Sequence, residues 1–383
     1  MNFVAQIIVT IIRIAVGGLF IFSGLIKAND TLGFSYKLVE YFEPGVLNIP
    51  FFIPYAVPLA MLICIFEVIV GFTMLIGARV RLTLWLSLLM IIFFTFLTFY
   101  SAQFDVVKTC GCFGDAITLT PWESFTKDVV LLVLILILFA GKQYIMPLFG
   151  KSVLYPSKSS KMETIVVMLA LIFATAFPLY TYSFLPIKDF RPYAIGKNIP
   201  EQTKGIPDEI AFSYILKNKK TGKLEEVFTW PENWTDNYIF EESKTTITKK
   251  GIDPVIKDFQ ITSLSGDDYT DMIEYEGNNF VLVCYSLETT NLASINQIEQ
   301  LRMQCEKEGV KFVALTASSP DVVRAFNKEH GTNFKFFISD GIVLKTMIRS
   351  NPGLLLLNNG VVKGKWHFNT IPLFDDLDTL LLN

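Results

Sequence analysis

The chain has 383 residues, of which 51% are hydrophobic and only 18% are charged, and its mean hydropathy is +0.44. This composition is too apolar for a water-soluble protein of this size and indicates a membrane protein surrounded by lipid. The 33 basic and 36 acidic residues give a net charge of -3, so there is no basic excess for binding nucleic acid, which is not expected as a partner.

Apolar segments in the first half are long enough to cross a membrane as helices, which takes about 20 mostly apolar residues. There are five of them: 4–26, 53–76, 82–100, 124–147 and 163–186. The first is interpreted as a retained helix and not as a secretory signal, because its apolar run is long, it contains Arg13 and no small-residue cleavage site follows it. The rest of the chain, 187–383, has the mixed composition of a soluble domain.

The distribution of basic residues predicts the orientation of these spans. Arg79 and Arg81 lie in the loop after the second span, and Lys142, Lys151, Lys158 and Lys161 lie in the loop after the fourth. The positive-inside rule places both loops, and with them the N-terminus, in the cytoplasm. We therefore expect a bacterial inner-membrane protein with five spanning helices and a periplasmic C-terminal domain, in a compartment that permits disulfides.

Two cysteines one residue apart lie in the polar loop 101–123. The run reads Cys110-Gly111-Cys112-Phe113-Gly114. Glycine between them permits unusual backbone angles, and a disulfide closed across one residue would be strained and easily reduced. We predict thiol–disulfide exchange at Cys110 and Cys112; the alternative is a pair that only stiffens the loop. A zinc site is not expected, because His330 and His367 are distant in the chain and two thiolates do not complete a tetrahedral shell.

A helix is predicted to begin directly after this loop, at Thr120-Pro121-Trp122-Glu123. Threonine is a good cap, proline suits the first helical position and glutamate can close a capping box. Trp122 is expected at the lipid–water interface. Lys108, Lys127 and the positive end of this helix would favour formation of a thiolate.

Two charged residues fall near the middles of predicted spans, Arg13 in the first and Glu67 in the second. An unpaired charge there costs at least about 2.5 kcal/mol, so we expect both to face the bundle interior and to form an ion pair. Such a pair is either purely structural or part of a proton or quinone site. Cys64, three residues before Glu67, is expected to be a small buried residue.

Several runs in the first 150 residues resemble the DoxX/MauE group of four-helix membrane proteins. They are Phe22-Ser23-Gly24-Leu25-Ile26-Lys27, the helix around Glu67 and Gly71, the cysteine motif with Gly111 at its centre, and the run Pro121-Trp122-Glu123-Ser124-Phe125-Thr126-Lys127-Asp128. The resemblance implies a redox-associated membrane protein. MauE itself is tied to methylamine utilisation and to disulfide formation in an exported enzyme subunit, beside a thioredoxin-like partner.

The C-terminal half alternates predicted strands and helices, which is typical of an α/β sheet with covered faces. After a hairpin at 255–268 we predict strands at 280–286, 311–316, 334–338 and 361–367, with helices at 289–308, 320–330, 340–348 and the C-terminus. A further strand follows Asn351-Pro352-Gly353. This order resembles thioredoxin, and Pro352 matches the position of that family's cis-proline.

The C-terminal half resembles thioredoxin but lacks its catalytic dithiol. Where a thioredoxin has its two cysteines, this chain reads Thr290-Asn291-Leu292-Ala293. Cys284 and Cys305 lie within a predicted strand and helix and are expected to be packing residues. Without paired thiols the domain cannot perform ordinary disulfide exchange by itself, so we interpret it as a docking or binding module.

The predicted fold is a membrane all-α helical bundle, with a four-helix DoxX/MauE-like core and a fifth spanning helix, followed by a soluble α/β thioredoxin-like domain. The predicted boundaries are 1–150 for the core, 151–188 for a cytoplasmic loop and fifth helix, 189–250 for a strand-rich subdomain or linker, and 251–383 for the thioredoxin-like domain.

Three functions fit this organisation. The first is a thiol–disulfide oxidoreductase that acts on an exported protein or on a thioredoxin-like oxidoreductase, with no certain cofactor and a quinone as an open alternative. The second is a non-enzymatic assembly factor whose soluble domain binds a client. The third is a permeation pathway lined by Arg13 and Glu67.

Overall fold

The computed structural model describes residues 3–107, 111–149, 161–232 and 234–377. The membrane half consists of α1 (Phe3–Asn29), α2 (Thr31–Phe42), α3 (Ala56–Ile76), α4 (Val80–Phe104), α5 (Pro121–Ala140) and α6 (Lys161–Ser183). Four segments within the described residues are long and apolar enough to cross a membrane, and they are Phe3–Asn29, Pro50–Ile76, Val80–Phe104 and Lys161–Ser183. The predicted fourth span forms the helix α5, but this helix is not in that set and carries three charged residues near its start.

The long helices run between the same two ends of the bundle. At the far end, Gly141 after α5 packs against Val9 of α1, and Arg13 Nη1 donates a hydrogen bond to the carbonyl oxygen of Met146 at 2.7 Å. At the opposite end, Thr181 of α6 donates to the carbonyl oxygen of Ala28 at 2.6 Å. This second end also contacts the C-terminal domain, and we call it the domain end.

Close contact between glycines sets the register of α1 against α3. A Cβ atom on Gly71 would lie 2.7 Å from the carbonyl oxygen of Gly17 and 2.8 Å from the backbone nitrogen of Ile21. Neither backbone atom can move without shifting a helix. The two helix backbones are therefore in contact here, as small residues allow at helix interfaces in membranes.

We expect Gly71→Ala to lower the free energy of unfolding in detergent by about 1–3 kcal/mol, because the added methyl group forces the two helices apart. Gly18→Ala is the matched control, since a Cβ atom on Gly18 meets nothing within 4 Å. That variant should be neutral or slightly stabilising, as alanine favours helix more than glycine does. Equal stability of the two variants would contradict the close contact.

The C-terminal domain contains a five-stranded sheet. Its strands are β4 (Asn278–Cys284), β5 (Lys311–Thr316), β6 (Phe336–Ile338), β7 (Gly353–Asn358) and β8 (Val361–His367). They lie in the order β6-β5-β4-β7-β8. β4, β5 and β6 are parallel, whereas β7 is antiparallel to both of its neighbours. The predicted strands and helices between 278 and 367 are thus present, while 255–268 forms turns and isolated bridges instead of a regular hairpin.

Apolar side chains cover both faces of this sheet. Helices α9 (Ile295–Lys307) and α10 (Pro320–His330) pack on one face, and α7 (Ile199–Thr203) and α11 (Gly341–Met347) pack on the other. Alternate residues of β4 belong to the two cores, since Leu282 faces the first pair of helices and Val283 the second. The predicted C-terminal helix falls partly on residues 378–383, outside the described residues.

A separate three-stranded sheet follows α7 in the chain and precedes the five-stranded sheet. It consists of β1 (Glu209–Asn218), β2 (Leu224–Val227) and β3 (Tyr238–Lys249), in the order β2-β1-β3, and a short helix α8 (Trp234–Asn237) precedes β3. Large apolar side chains on this sheet are exposed, among them Phe212 at 53% and Phe240 at 44%. The sheet therefore carries apolar surface that the described chain leaves uncovered.

Candidate functional site at the domain end of the bundle

The cysteine motif forms a tight turn before α5. The backbone nitrogen of Gly114 donates to the carbonyl oxygen of Gly111, and both glycines have positive φ angles, of 50° and 70°, which other residues rarely adopt. Cys112 and Phe113 between them are buried. Cys110 and Lys108 lie outside the described residues. The two glycines thus allow the turn that places Cys112 inside the protein.

This turn is fixed to the end of α1 by the run that begins at Phe22. Ser23 Oγ donates a hydrogen bond of 2.9 Å to the carbonyl oxygen of Cys112. The ring centres of Phe22 and Phe113 lie 5.7 Å apart. Two motifs that are separated by almost 90 residues in the sequence therefore form one structure.

A buried ion pair lies directly behind Ser23. Lys27 Nζ is 2.6 Å from Glu67 Oε2, and the two side chains are only 2% and 4% exposed. The same ammonium group donates to Ser23 Oγ at 2.9 Å. A chain of polar contacts thus connects the carboxylate of Glu67, through Lys27 and Ser23, to the backbone of Cys112.

The prediction that Arg13 and Glu67 form an ion pair is wrong, because Glu67 pairs with Lys27. Arg13 binds the carbonyl oxygen of Met146 at the far end and lies beside Gly77. Gly77 is ten residues beyond Glu67, or about 15 Å along a helix, so the two charges lie at different depths. Their separation also removes the observation that motivated a permeation pathway lined by both.

Helix α5 begins as predicted and contributes polar groups on the other side of the turn. Thr120 and Glu123 form the capping box. Lys127 Nζ lies 2.6 Å from Asp128 Oδ1 and 5.5 Å from the centre of the Phe113 ring. Trp122 is 54% exposed, as an aromatic residue at a lipid interface would be.

Arg349 of the C-terminal domain binds the bundle next to the cysteine turn. Its Nε atom lies 2.9 and 3.0 Å from the two carboxylate oxygens of Asp30, and its Nη2 atom lies 2.9 Å from Asp30 Oδ2. Nη2 is also 3.4 Å from Asp115, three residues after Cys112. The hydroxyl groups of Tyr36 and Tyr285 meet at 3.3 Å beside this ion pair. The domain therefore docks on α2 and on the cysteine turn itself.

Burial and charge act differently on the two carboxylates of this interface. Burial alone would raise the pKa of Asp30, but the guanidinium groups of Arg349 and Arg191 lower it to about 2. For Asp115, burial prevails over the attraction of Arg349 and raises the pKa. Asp30 thus keeps its negative charge to lower pH than Asp115, which is protonated more easily.

The groups of the interface surround a cleft between the two halves of the protein. It is lined by Lys27, Asp30, Lys37, Gly111, Asp115 and Arg349, among others. A Cβ atom on Gly111 would lie 3.2 Å from the Lys37 side chain. The cysteine turn therefore borders a charged cleft that both the bundle and the C-terminal domain help to form.

On the domain side, the segment after Arg349 contains a cis peptide bond between Asn351 and Pro352. The carbonyl oxygen of Asn351 accepts a hydrogen bond of 2.9 Å from the backbone nitrogen of Asn291, which follows β4. Cys284 and Cys305 are fully buried, and burial raises the pKa of each thiol to about 12. Both are unreactive packing residues.

The bundle is similar to a known family of membrane proteins. Residues 5–141 match the model of a family described as methylamine utilisation protein MauE. This part of the chain is similar to MauE. A crystal structure of a "putative electron transfer protein from Aquifex aeolicus VF5" shares 12% identity, covering 33% of this chain and 89% of that one, with a TM-score of 0.25. No curated protein gives a significant match.

The MauE-like region contains Ser23, Lys27, Glu67 and Cys112, whereas Arg349 lies beyond it. Lys27 is not among the predicted site residues, because the predicted first span ends at 26 and leaves Lys27 in the loop that follows. The helix in fact continues to Asn29, which brings Lys27 within the bundle. Its four-residue spacing from Ser23, on one helix face, is the signal that could have identified it.

Proposed function

We propose that this protein catalyses thiol–disulfide exchange for exported proteins through Cys110 and Cys112. The observation that carries the proposal is the position of the cysteine turn. It is fixed to the bundle through Ser23 and contacts the C-terminal domain through Asp115 and Arg349. A turn that only closed a loop would not need to lie in a charged cleft between two domains.

The C-terminal domain, in this proposal, is a thioredoxin-like module that has lost its dithiol and serves for docking. Its parallel strands β4 and β5 and its antiparallel β7 and β8 support this assignment. Arg349 lies two residues before Asn351, so the edge that faces the cysteine turn is the one that carries the cis-proline. The domain would thus present a client, or a separate thioredoxin-like oxidoreductase, to the two thiols.

The arrangement of the helices favours five spans and an outward-facing cysteine turn. α5 begins beside the cysteine turn and ends beside Val9, so it runs the length of the bundle like its neighbours. Arg79, Arg81, Lys142 and Lys161 lie at the far end, which by the positive-inside rule would face the cytoplasm of a bacterial cell. The cysteine turn and the C-terminal domain would then face the periplasm. We do not propose methylamine as a substrate of this protein.

Exchange with glutathione tests this proposal. In the purified full-length protein, we expect the pair to shift from disulfide to dithiol across glutathione buffers of decreasing potential, as a maleimide gel shift would show. Cys110→Ser/Cys112→Ser should abolish the shift without lowering the protein level, and Cys64→Ser is the control that should keep it. A pair that stays oxidised until the protein unfolds would support the structural role instead.

The alternative of a non-enzymatic client-binding factor is favoured by a different observation. The sheet of β1, β2 and β3 exposes Phe212 and Phe240, and Trp230 in the loop after β2 lies with its ring centre 5.9 Å from that of Phe240. This apolar surface is suited to holding an unfolded chain. Under this alternative, replacing both loop cysteines leaves client maturation intact, whereas Phe212→Ser/Phe240→Ser impairs it. The two sets of variants therefore separate the two functions.

A further inference from the structure

Burying an ion pair in a helix bundle is rarely favourable in itself. An apolar pair of the same volume is often as stable or more stable, because removing two charges from water costs more than their attraction returns. Lys27 and Glu67 are nevertheless buried together, and the ammonium lies 5.0 and 5.6 Å from the rings of Phe94 and Phe34. Packing alone does not account for these charges.

The ammonium group of Lys27 lies close to the cysteine turn. It donates a hydrogen bond of 2.9 Å to Ser23 Oγ, which in turn donates one of 2.9 Å to the carbonyl oxygen of Cys112. A cation next to a thiol stabilises the thiolate, which is both the attacking and the leaving form in disulfide exchange. Lys27 is therefore placed to act on Cys112 from inside the bundle.

Glu67 acts against this effect. Its Oε2 atom contacts Lys27 at 2.6 Å and has no aligned hydrogen bond among the described residues, so Lys27 is its principal partner. A carboxylate this close to the ammonium competes with a Cys112 thiolate for the same cation. The balance between the two anions sets how easily the thiolate forms.

We infer that the Lys27–Glu67 ion pair sets the reactivity of Cys112, with Lys27 stabilising its thiolate and Glu67 competing for Lys27. Both are positioning residues, and the inference rests on the proposed function. It gives a charge pair that is buried inside the bundle a role in the thiol chemistry of the turn.

The exchange step shows where this stabilisation enters. Because Cys112 is buried, we write the attack at Cys110: a substrate thiolate forms an S–S bond to the Cys110 sulfur, the Cys110–Cys112 bond breaks and its electron pair remains on Cys112. A second substrate thiol then loses its proton to water and forms an S–S bond to the first substrate sulfur, while the bond to Cys110 breaks and its electron pair remains on Cys110. The substrate has lost two electrons and two protons, and the pair has gained the two electrons. Lys27 stabilises the Cys112 thiolate that leaves in the first step.

Other charged groups also face the turn, and the experiment has to separate them from Lys27. They are Lys37 on α2, Lys127 and Asp128 on α5, and Asp115 with Arg349 at the domain interface. None of these cations is connected to the Cys112 backbone through Ser23. Variants of Lys27 and Glu67 leave all of them unchanged.

The test measures alkylation of Cys112 by iodoacetamide against pH in full-length Cys110→Ser protein, with the label located by peptide mass spectrometry. We expect Lys27→Met to move the pH–rate profile upward, so that alkylation at neutral pH falls about tenfold or more. Glu67→Gln should move it downward, because Lys27 is then left to the thiolate. Arg13→Met, which removes a cation at the far end of the same helix, should leave the profile in place.

A structural role of the ion pair would give a different result. The double variant Lys27→Met/Glu67→Gln buries no charge and should fold even if one single variant does not, with a profile between those of the single variants. Shifts in the same direction for both single variants, or a profile of the double variant that lies outside the range set by the two single variants, would overturn the inference. If wild-type Cys110 and Cys112 never exchange with glutathione, the proposed function fails; if they exchange but the Lys27 variants keep the wild-type profile, only this inference fails.

Discussion

Replacing Glu67 by Gln is expected to lower the free energy of unfolding of the detergent-solubilised protein by about 3–5 kcal/mol, the cost of leaving one charge of a buried pair without its partner. Lys27→Met should have a similar effect, because it strands the carboxylate instead. Each side chain is at most 4% exposed, so water cannot replace the missing partner.

The double variant separates the ion pair from simple loss of packing. Lys27→Met/Glu67→Gln should cost less than either single variant, because no charge remains in the core. Arg13→Met is the matched control, because it removes a charge from the same helix at a position away from the Lys27–Glu67 pair. Unfolding in increasing sodium dodecyl sulfate, followed by circular dichroism, would measure all four. Additive losses would show that the two side chains do not interact.

Replacing Arg349 by Met is expected to loosen the domain interface, also at a cost of about 3–5 kcal/mol, because Asp30 keeps its charge but loses its bidentate partner. Hydrogen exchange should increase in α2 and in the cysteine turn, which contact Arg349 through Asp30 and Asp115. Mass spectrometry of the full-length protein would detect this increase.

A surface ion pair of the same domain provides the control for Arg349. Arg324 and Asp321 lie 2.6 Å apart, but their side chains are 66% and 90% exposed. Arg324→Met should therefore change stability by at most about 1 kcal/mol and leave exchange in the cysteine turn unaltered. Increased exchange in both variants would indicate general loosening of the domain and not loss of a specific contact.

The interface should also respond to acid in a defined pH range. The pKa of Asp30 is lowered to about 2, so its stabilising contribution is complete above its ordinary value of 3.8 and is lost as the pH falls through about 2. Asp115 has a raised pKa and loses its charge first. We expect hydrogen exchange in α2 to stay low down to about pH 4 and to rise below it. An onset near neutral pH would contradict the assigned role of Asp30.

Local signals in the sequence predicted much of the secondary structure. The threonine, proline and glutamate at 120–123 form the predicted capping box, and strand 311–316 and helix 320–330 have the predicted bounds. These features depend on residues that are neighbours in the chain. Their physical causes, capping and alternation, can be recognised without knowledge of the tertiary structure.

The candidate site could not be predicted in the same way, because it depends on the register between distant helices. The contact of Gly17 with Gly71 places Lys27, and not Arg13, at the depth of Glu67. No local pattern indicates that register. The bond between Arg349 and Asp30 joins residues more than 300 positions apart and is equally invisible in the sequence.

Several bonds that join the bundle, the segment after α6 and the C-terminal domain use backbone atoms. Asn29 exchanges two hydrogen bonds with the backbone of Lys188, Asn369 donates to the carbonyl oxygen of Ser183, and Arg191 donates to that of Thr346. Side-chain variation at Lys188, Ser183 or Thr346 leaves these acceptors and donors in place. The lipid-embedded and aqueous halves should consequently denature as one cooperative unit, so that a calorimetric scan records a single heat-absorption peak although the two halves lie in different solvents.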